Sequence, residues 1–182
     1  MARLPIQIRS PFSLVLAGGA ALVVALLIAL VGPYPELAHR FGERHPFEIR
    51  PASTTAEAAA ILEAIGASGR DLYLRQLRWD YLLISAYGAG ILVLGRGLTG
   101  LARWRHGRAI VPAIIALLPV VADTVENMAL RRIVTDAPEV DWLWLEVARI
   151  ATYAKLGTLA LAGVVLVVLG TRTIVRFVGD TA

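Results

Sequence analysis

Residues 12–32 read FSLVLAGGAALVVALLIALVG, and nothing charged occurs anywhere between Arg9 and Glu36. A helix rises about 1.5 Å per residue, so about 20 apolar residues cross a bilayer core of roughly 30 Å. The stretch is therefore long enough to span. Arg3 and Arg9 in front and the alanines within give it some likeness to a secretory signal. A signal core runs only about 7–15 residues, so an uncleaved first span is expected.

Working outward, three further apolar segments follow at residues 81–95 with extension to 101, at 109–130 and at 143–170. Composition agrees with the pattern: 57% of the 182 residues are hydrophobic, more than in an ordinary soluble domain, and mean hydropathy is +0.66. The expectation is an all-α integral membrane four-helix bundle, a single domain over residues 1–182. Its spans lie at about 12–32, 80–101, 109–131 and 143–170, and residues 33–79 form an outer segment with a short extracytoplasmic helix. Cysteine is absent, which excludes disulfides and thiolate chemistry. A net charge of +4 does not imply nucleic acid here, because the basic residues segregate by membrane side.

That segregation orients the chain. Arg3 and Arg9 precede the first span, and Arg96, Arg103, Arg105 and Arg108 join the second to the third without an acid; these connections read as cytoplasmic. The link after the third span carries Asp136, Glu139 and Asp141 against two arginines, and residues 33–79 balance six arginines with six acids, so both read as external. Arg172, Arg176 and Asp180 return the C-terminus to the cytoplasm. A bacterial inner membrane with both termini inside is the expected location. Tyr81, Trp104, Trp142 and Trp144 stand near span ends, where interfacial aromatics gather.

Within the outer segment, four prolines in residues 33–52 predict an irregular connection. Thr54 and Glu57 form a capping-box pattern ahead of good helix formers. Gly66 and Gly69 are expected to break that helix before a second one, over 71–79, enters the second span. Leu72, Leu74 and Leu77 fit either the membrane surface or a cap on the bundle. Small residues at Gly18 and Gly19, Gly88 and Gly90, and Gly157, Ala160 and Gly163 predict close helix packing.

The spans also contain ionisable residues: Asp80, Asp123, Glu126, Arg149 and Lys155, with Tyr87, Asn127, Thr152 and Tyr153 nearby. A charge in the bilayer centre costs on the order of 3 kcal/mol or more, so such groups should face each other or a wet cavity. At 100° per residue Asp123, Glu126 and Asn127 share an arc of about 100°, and Arg149, Thr152 and Lys155 one of about 120°. Asp80 and Tyr87 are seven apart and share a face. By the helical rise the three polar faces reach the outer half of the bilayer, which predicts a pocket open to, or just under, the external surface. Lys155 is the only lysine among 18 cationic residues, a compact ammonium where arginine is the default. A self-satisfied ion-pair network that fixes helix register remains open beside a ligand site. Pro119 precedes the acids and frees the carbonyl of Ile115, inviting a kink. Glu146 and Arg149 also read as an ordinary i,i+3 pair. His39 and His45 match no metal spacing; neither a metal nor a cofactor is expected.

The runs AEAAAILEAIG, GRDLYLRQLRWDYLLISAY, ADTVENMALRR and ATYAKLG resemble a group of bacterial four-pass membrane proteins. The likeness covers about residues 54–160. It implies the topology and the choice of polar residues, and it brings no activity. The HExxH pattern, Asp-rich prenyltransferase repeats and a Ser/His dyad are absent. The preferred expectation is therefore a non-enzymatic protein that binds a small amphiphile or lipid head group, or serves as an accessory subunit. Membrane lipids, a protein complex or a second copy of the chain are the expected partners. The rivals are a membrane-embedded enzyme on a lipid or isoprenoid, with Asp123 or Glu126 as acid/base, and a proton- or ion-coupled transport component.

Overall fold

The computed structural model describes residues 10–42, 47–48, 50–104 and 110–179. Five helices follow in order: α1 (Pro11–Val31), α2 (Tyr34–Phe41), α3 (Thr55–Leu101), α4 (Ile110–Asp136) and α5 (Trp142–Gly179); no strand occurs among the described residues. Four of them, α1, α3, α4 and α5, are long and apolar enough to cross a membrane. The chain is an all-helical bundle of the expected class. Arg3, Arg9, His45, Arg105, Arg108 and Asp180, used above for orientation or weighed as ligands, lie outside the described residues.

Local chemistry sets the helix starts. Ser10 caps α1 by accepting from the Ser13 amide at 3.2 Å, with Pro11 in the first turn. Thr54 caps α3 by accepting from the Glu57 amide at 3.1 Å. Glu57 reaches back to Ser53, accepting from its amide at 2.8 Å and its hydroxyl at 2.7 Å. The return bond of the capping box thus falls one residue earlier than the pattern Thr54-x-x-Glu57 implies.

Two expectations about the outer segment need correction, and one left open is decided. Residues 33–52 are not irregular throughout, because α2 occupies Tyr34–Phe41. Its prolines, Pro33 and Pro35, sit at the helix start, where a missing amide hydrogen costs nothing. The segment before the second span has one break and not two. Gly66 adopts φ 66°, ψ −176°, inside the continuous run Thr55–Leu101, while Gly69 stays helical and buried, where a side chain would meet Ile65. Leu72 and Leu77 cap the bundle and do not lie on the membrane surface: both are buried with Leu37, Phe41, Phe47, Leu62, Leu130 and Ile133. Phe41, Phe47 and Tyr73 pack edge-on or tilted with centroids 5.7–6.0 Å apart at the centre of this cap.

Small residues seat α3 among its neighbours. A side chain at Gly18 would collide with the backbone of Leu94, one at Gly90 with Leu22 and one at Gly88 with Val120. These glycines let α1 and α4 approach α3 closely, as helices in lipid must. The same expectation fails for α5, since a Cβ at Gly157 or Gly163 would meet nothing within 4 Å; Gly19 is equally open. Helix α3 contacts every other helix, whereas α1 approaches only α2 and α3. Among the described residues α1 and α5 make no close contact, and a cavity lined by Ala29 and Leu156 opens the gap between them. Pro11 and Val15 of α1 lie against Gly97 and Gly100 of α3, and Arg176 of α5 donates to the Leu101 carbonyl at 3.0 Å. The start of α1 and the end of α5 thus reach the same end of the bundle, opposite α2. Arg172 stacks 6.0 Å above the Trp104 ring at that end.

Candidate functional site

Helix α4 supplies the acids. Asp123, Glu126 and Asn127 are all buried, one turn apart, on the face turned toward α3 and α5. Lys155 reaches them from α5: its Nζ lies 3.2 Å from Asp123 Oδ1 and also pairs with Glu126 Oε2. The side chains of Lys155, Asp123 and Glu126 are 12%, 7% and 0% exposed, so the pairs are screened from solvent and lipid alike. Thr152 donates to Glu126 Oε1, with its hydroxyl also 2.9 Å from the Ala148 carbonyl. Tyr87 of α3 donates to Asp123 Oδ2 at 2.9 Å and stands 3.2 Å from the Pro119 carbonyl. The Pro119 turn is thereby tied to α3 beside the acids.

Of the polar residues singled out from sequence, the structure brings together Asp80, Tyr87, Asp123, Glu126, Asn127, Thr152 and Lys155. It does not bring Arg149 or Tyr153. Arg149 pairs with Glu146 at 2.7 Å on a half-exposed face, and Tyr153 is 63% exposed. Both lie on the flank of α5 turned away from Lys155. Asn127 is buried with neither amide atom in hydrogen-bond geometry, although Asp80 lies beside it.

A cavity of about 270 Å³ opens onto this cluster. Asp123 and Lys155 form part of its wall, Asp80 and Gln76 of α3 another, and Tyr34 and Glu48 line it from the outer segment. Ala29 of α1 and Leu156 of α5 line it from the two sides of the gap between those helices. Gln76 donates to Asp80 Oδ1 at 3.2 Å. Burial pushes the Glu48 carboxyl up to about 8, repulsion from Asp80 adds to this, and the nearby Tyr73 hydroxyl opposes it without reaching full hydrogen-bond geometry.

Sequence reasoning missed Gln76 and Glu48. Gln76 carries a signal, since it stands four residues before Asp80 and so shares its face. Glu48 carries none: it arrives through the turn after α2, and only the folded cap places it there. Its arrival changes the charge balance. Four carboxyls, Glu48, Asp80, Asp123 and Glu126, gather around one ammonium, where the sequence offered three acids against two bases. Among the described residues no group of three or more His, Asp or Glu is arranged to hold a metal ion.

Fold and site define a helical membrane protein with a charged pocket between its spans. No family model, no curated protein and no solved structure matches the chain.

Proposed function

We propose that the protein binds, from within the bilayer, a small amphiphile whose head group carries an amine. The observation that carries this reading is the surplus of carboxyls over ammoniums around a cavity placed at the gap between α1 and α5. Lys155 compensates Asp123 and Glu126. Asp80 makes no ion pair among the described residues, and a ligand ammonium would supply its counter-charge. A head group of a few heavy atoms fits the volume, and a tail would leave through the gap into lipid. In this reading α2 and the cap face outward from a bacterial inner membrane, both termini are cytoplasmic, and the protein acts as a binding or accessory component. An enzymatic role is less favoured, because Lys155 and Thr152 already occupy the oxygens of Asp123 and Glu126 that a general base would need.

The test is native mass spectrometry of the protein extracted in mild detergent. Wild type is expected to carry an amine-bearing amphiphile that Asp80→Asn loses while its melting temperature holds. An unliganded wild type, or equal retention by the variant, would rule the reading out. A second reading, proton transfer along the carboxyls, draws on the position of Glu48 near neutrality. It requires proton flux in liposomes that Glu48→Gln abolishes.

A further inference from the structure

A second groove lies on another face, between α3 and α4, and has the opposite polarity. On α3 its walls follow Leu74, Arg78, Tyr81, Ser85, Gly88 and Leu92; on α4 they follow Ala113, Leu117, Val120, Thr124, Asn127 and Arg131. Each set advances by three or four residues, so each is one continuous stripe along its helix. Two cavities occupy this groove, one of about 310 Å³ near the α2 end and one of about 500 Å³ below it, and Tyr81 lines both.

The upper cavity is cationic. Arg78 and Arg131 line it and no carboxylate does. Arg78 rests its Nε on the Leu74 carbonyl at 3.3 Å, which leaves its terminal nitrogens without a partner among the described residues. Arg131 makes no ion pair among the described residues. Asn127, buried and beside Asp80, completes the same wall. The lower cavity is apolar except for Ser85 and Thr124, and both of these hydroxyls are already spent on carbonyls of their own helices, Tyr81 and Val120. Gly88 deepens it by lacking a side chain.

We infer that this groove holds one phospholipid with an anionic head group, its phosphate on Arg78 and Arg131 and an acyl chain along the lower cavity. Two guanidinium forks facing one opening match phosphate oxygens in geometry and charge. Tyr81 stands at the junction, the level at which amphipathic rings meet the bilayer interface. From Arg78 to Leu92 the stripe runs 14 residues, about 21 Å by the helical rise, longer than the half-core of roughly 15 Å that one leaflet provides. The proposal rests on the two arginines and uses none of the four carboxyls; Asn127, beside Asp80, is shared between the two sites.

The test uses full-length protein in nanodiscs of phosphatidylcholine containing one tenth phosphatidylglycerol, released into native mass spectrometry. Wild type is expected to retain phosphatidylglycerol over phosphatidylcholine. The preference should fall about tenfold or more in Arg78→Gln/Arg131→Gln, which removes two charge-assisted contacts. Ala89→Phe fills the lower cavity from an exposed position and should weaken both lipids while melting temperature holds. Asp80→Asn should change neither. Equal retention of the two lipids by wild type, unchanged preference in the double arginine variant, or a dimer whose cross-links run through Ala89 would overturn the assignment.

Discussion

At the residue scale, Lys155 is the group on which the site's neutrality turns. It faces two carboxylates that are nearly or wholly buried. Removing one member of a buried pair costs about 3–5 kcal/mol, because the remaining charge is left without compensation. Lys155→Met is therefore expected to lower stability by about that amount, read as loss of melting temperature in detergent. Adding Asp123→Asn and Glu126→Gln should recover most of it, and a Lys155→Met protein as stable as wild type would mean that the ion pairs contribute nothing. Glu48 gives a second outcome with a defined sign. Its carboxyl is raised from 4.5 to about 8 in the folded protein, so the fold favours the protonated form. That contribution is complete below the unfolded value and is lost as pH climbs from about 4.5 through 8. Melting temperature should decline across that window in wild type and more shallowly in Glu48→Gln. Lys155 and Arg149 show what could be read in advance. Lys155 announced itself as a lone lysine within a span, and helical spacing then named its partners on α4. Arg149 shared its arc by the same arithmetic, but an arc of 120° is wide enough to include a flank, and the nearer Glu146 holds it there.

At the element scale, the glycines separate close approach from mere smallness. Gly18 and Gly157 look alike in sequence, each within an apolar run of a span. Only the first lies against backbone. Gly18→Ala forces α1 away from Leu94 and should cost about 1–3 kcal/mol as overpacking does. Gly157→Ala meets nothing and removes a flexible residue from a helix, so it should be neutral or stabilising by up to about 1 kcal/mol. Parallel thermal unfolding of the two variants checks the contrast, and equal effects would remove it. The four apolar segments singled out from sequence fall on the four long apolar helices, since length and apolarity alone mark them. Helix α5 runs to Gly179, well past the expected 170, because Arg172 and Arg176 find partners at the end of α3 and keep the chain helical beyond the apolar stretch. Helix α2 was hidden by its own prolines, which signal a turn unless they fall in a first helical turn.

At the scale of the whole molecule, the two ends differ in construction. One end is a packed cap, with α2 and the first part of α3 closing over the acid cluster. The other carries Arg103 and Trp104 beyond the end of α3, and the last turns of α5. No periodicity could disclose that α1 and α5 stand apart, since the contact pattern is a property of the assembled helices. In the proposed reading the ligand enters through this gap from lipid while the cap limits access from water. The arginine distribution predicts which side of the membrane holds the cap, and the cysteine-free sequence allows a clean measurement. Glu63 is exposed on the cap, and Arg103 sits in the link after α3 at the other end. In intact bacterial cells expressing single-cysteine variants, a membrane-impermeant thiol reagent should label Glu63→Cys at once. It should label Arg103→Cys only after the inner membrane is permeabilised, because basic connections stay on the cytoplasmic side. The reverse pattern would turn the bundle over and place the carboxyl pocket in the inner leaflet. In that case the amine ligand would have to come from cytoplasmic-side lipid, and the arginine groove would face the leaflet where anionic head groups concentrate.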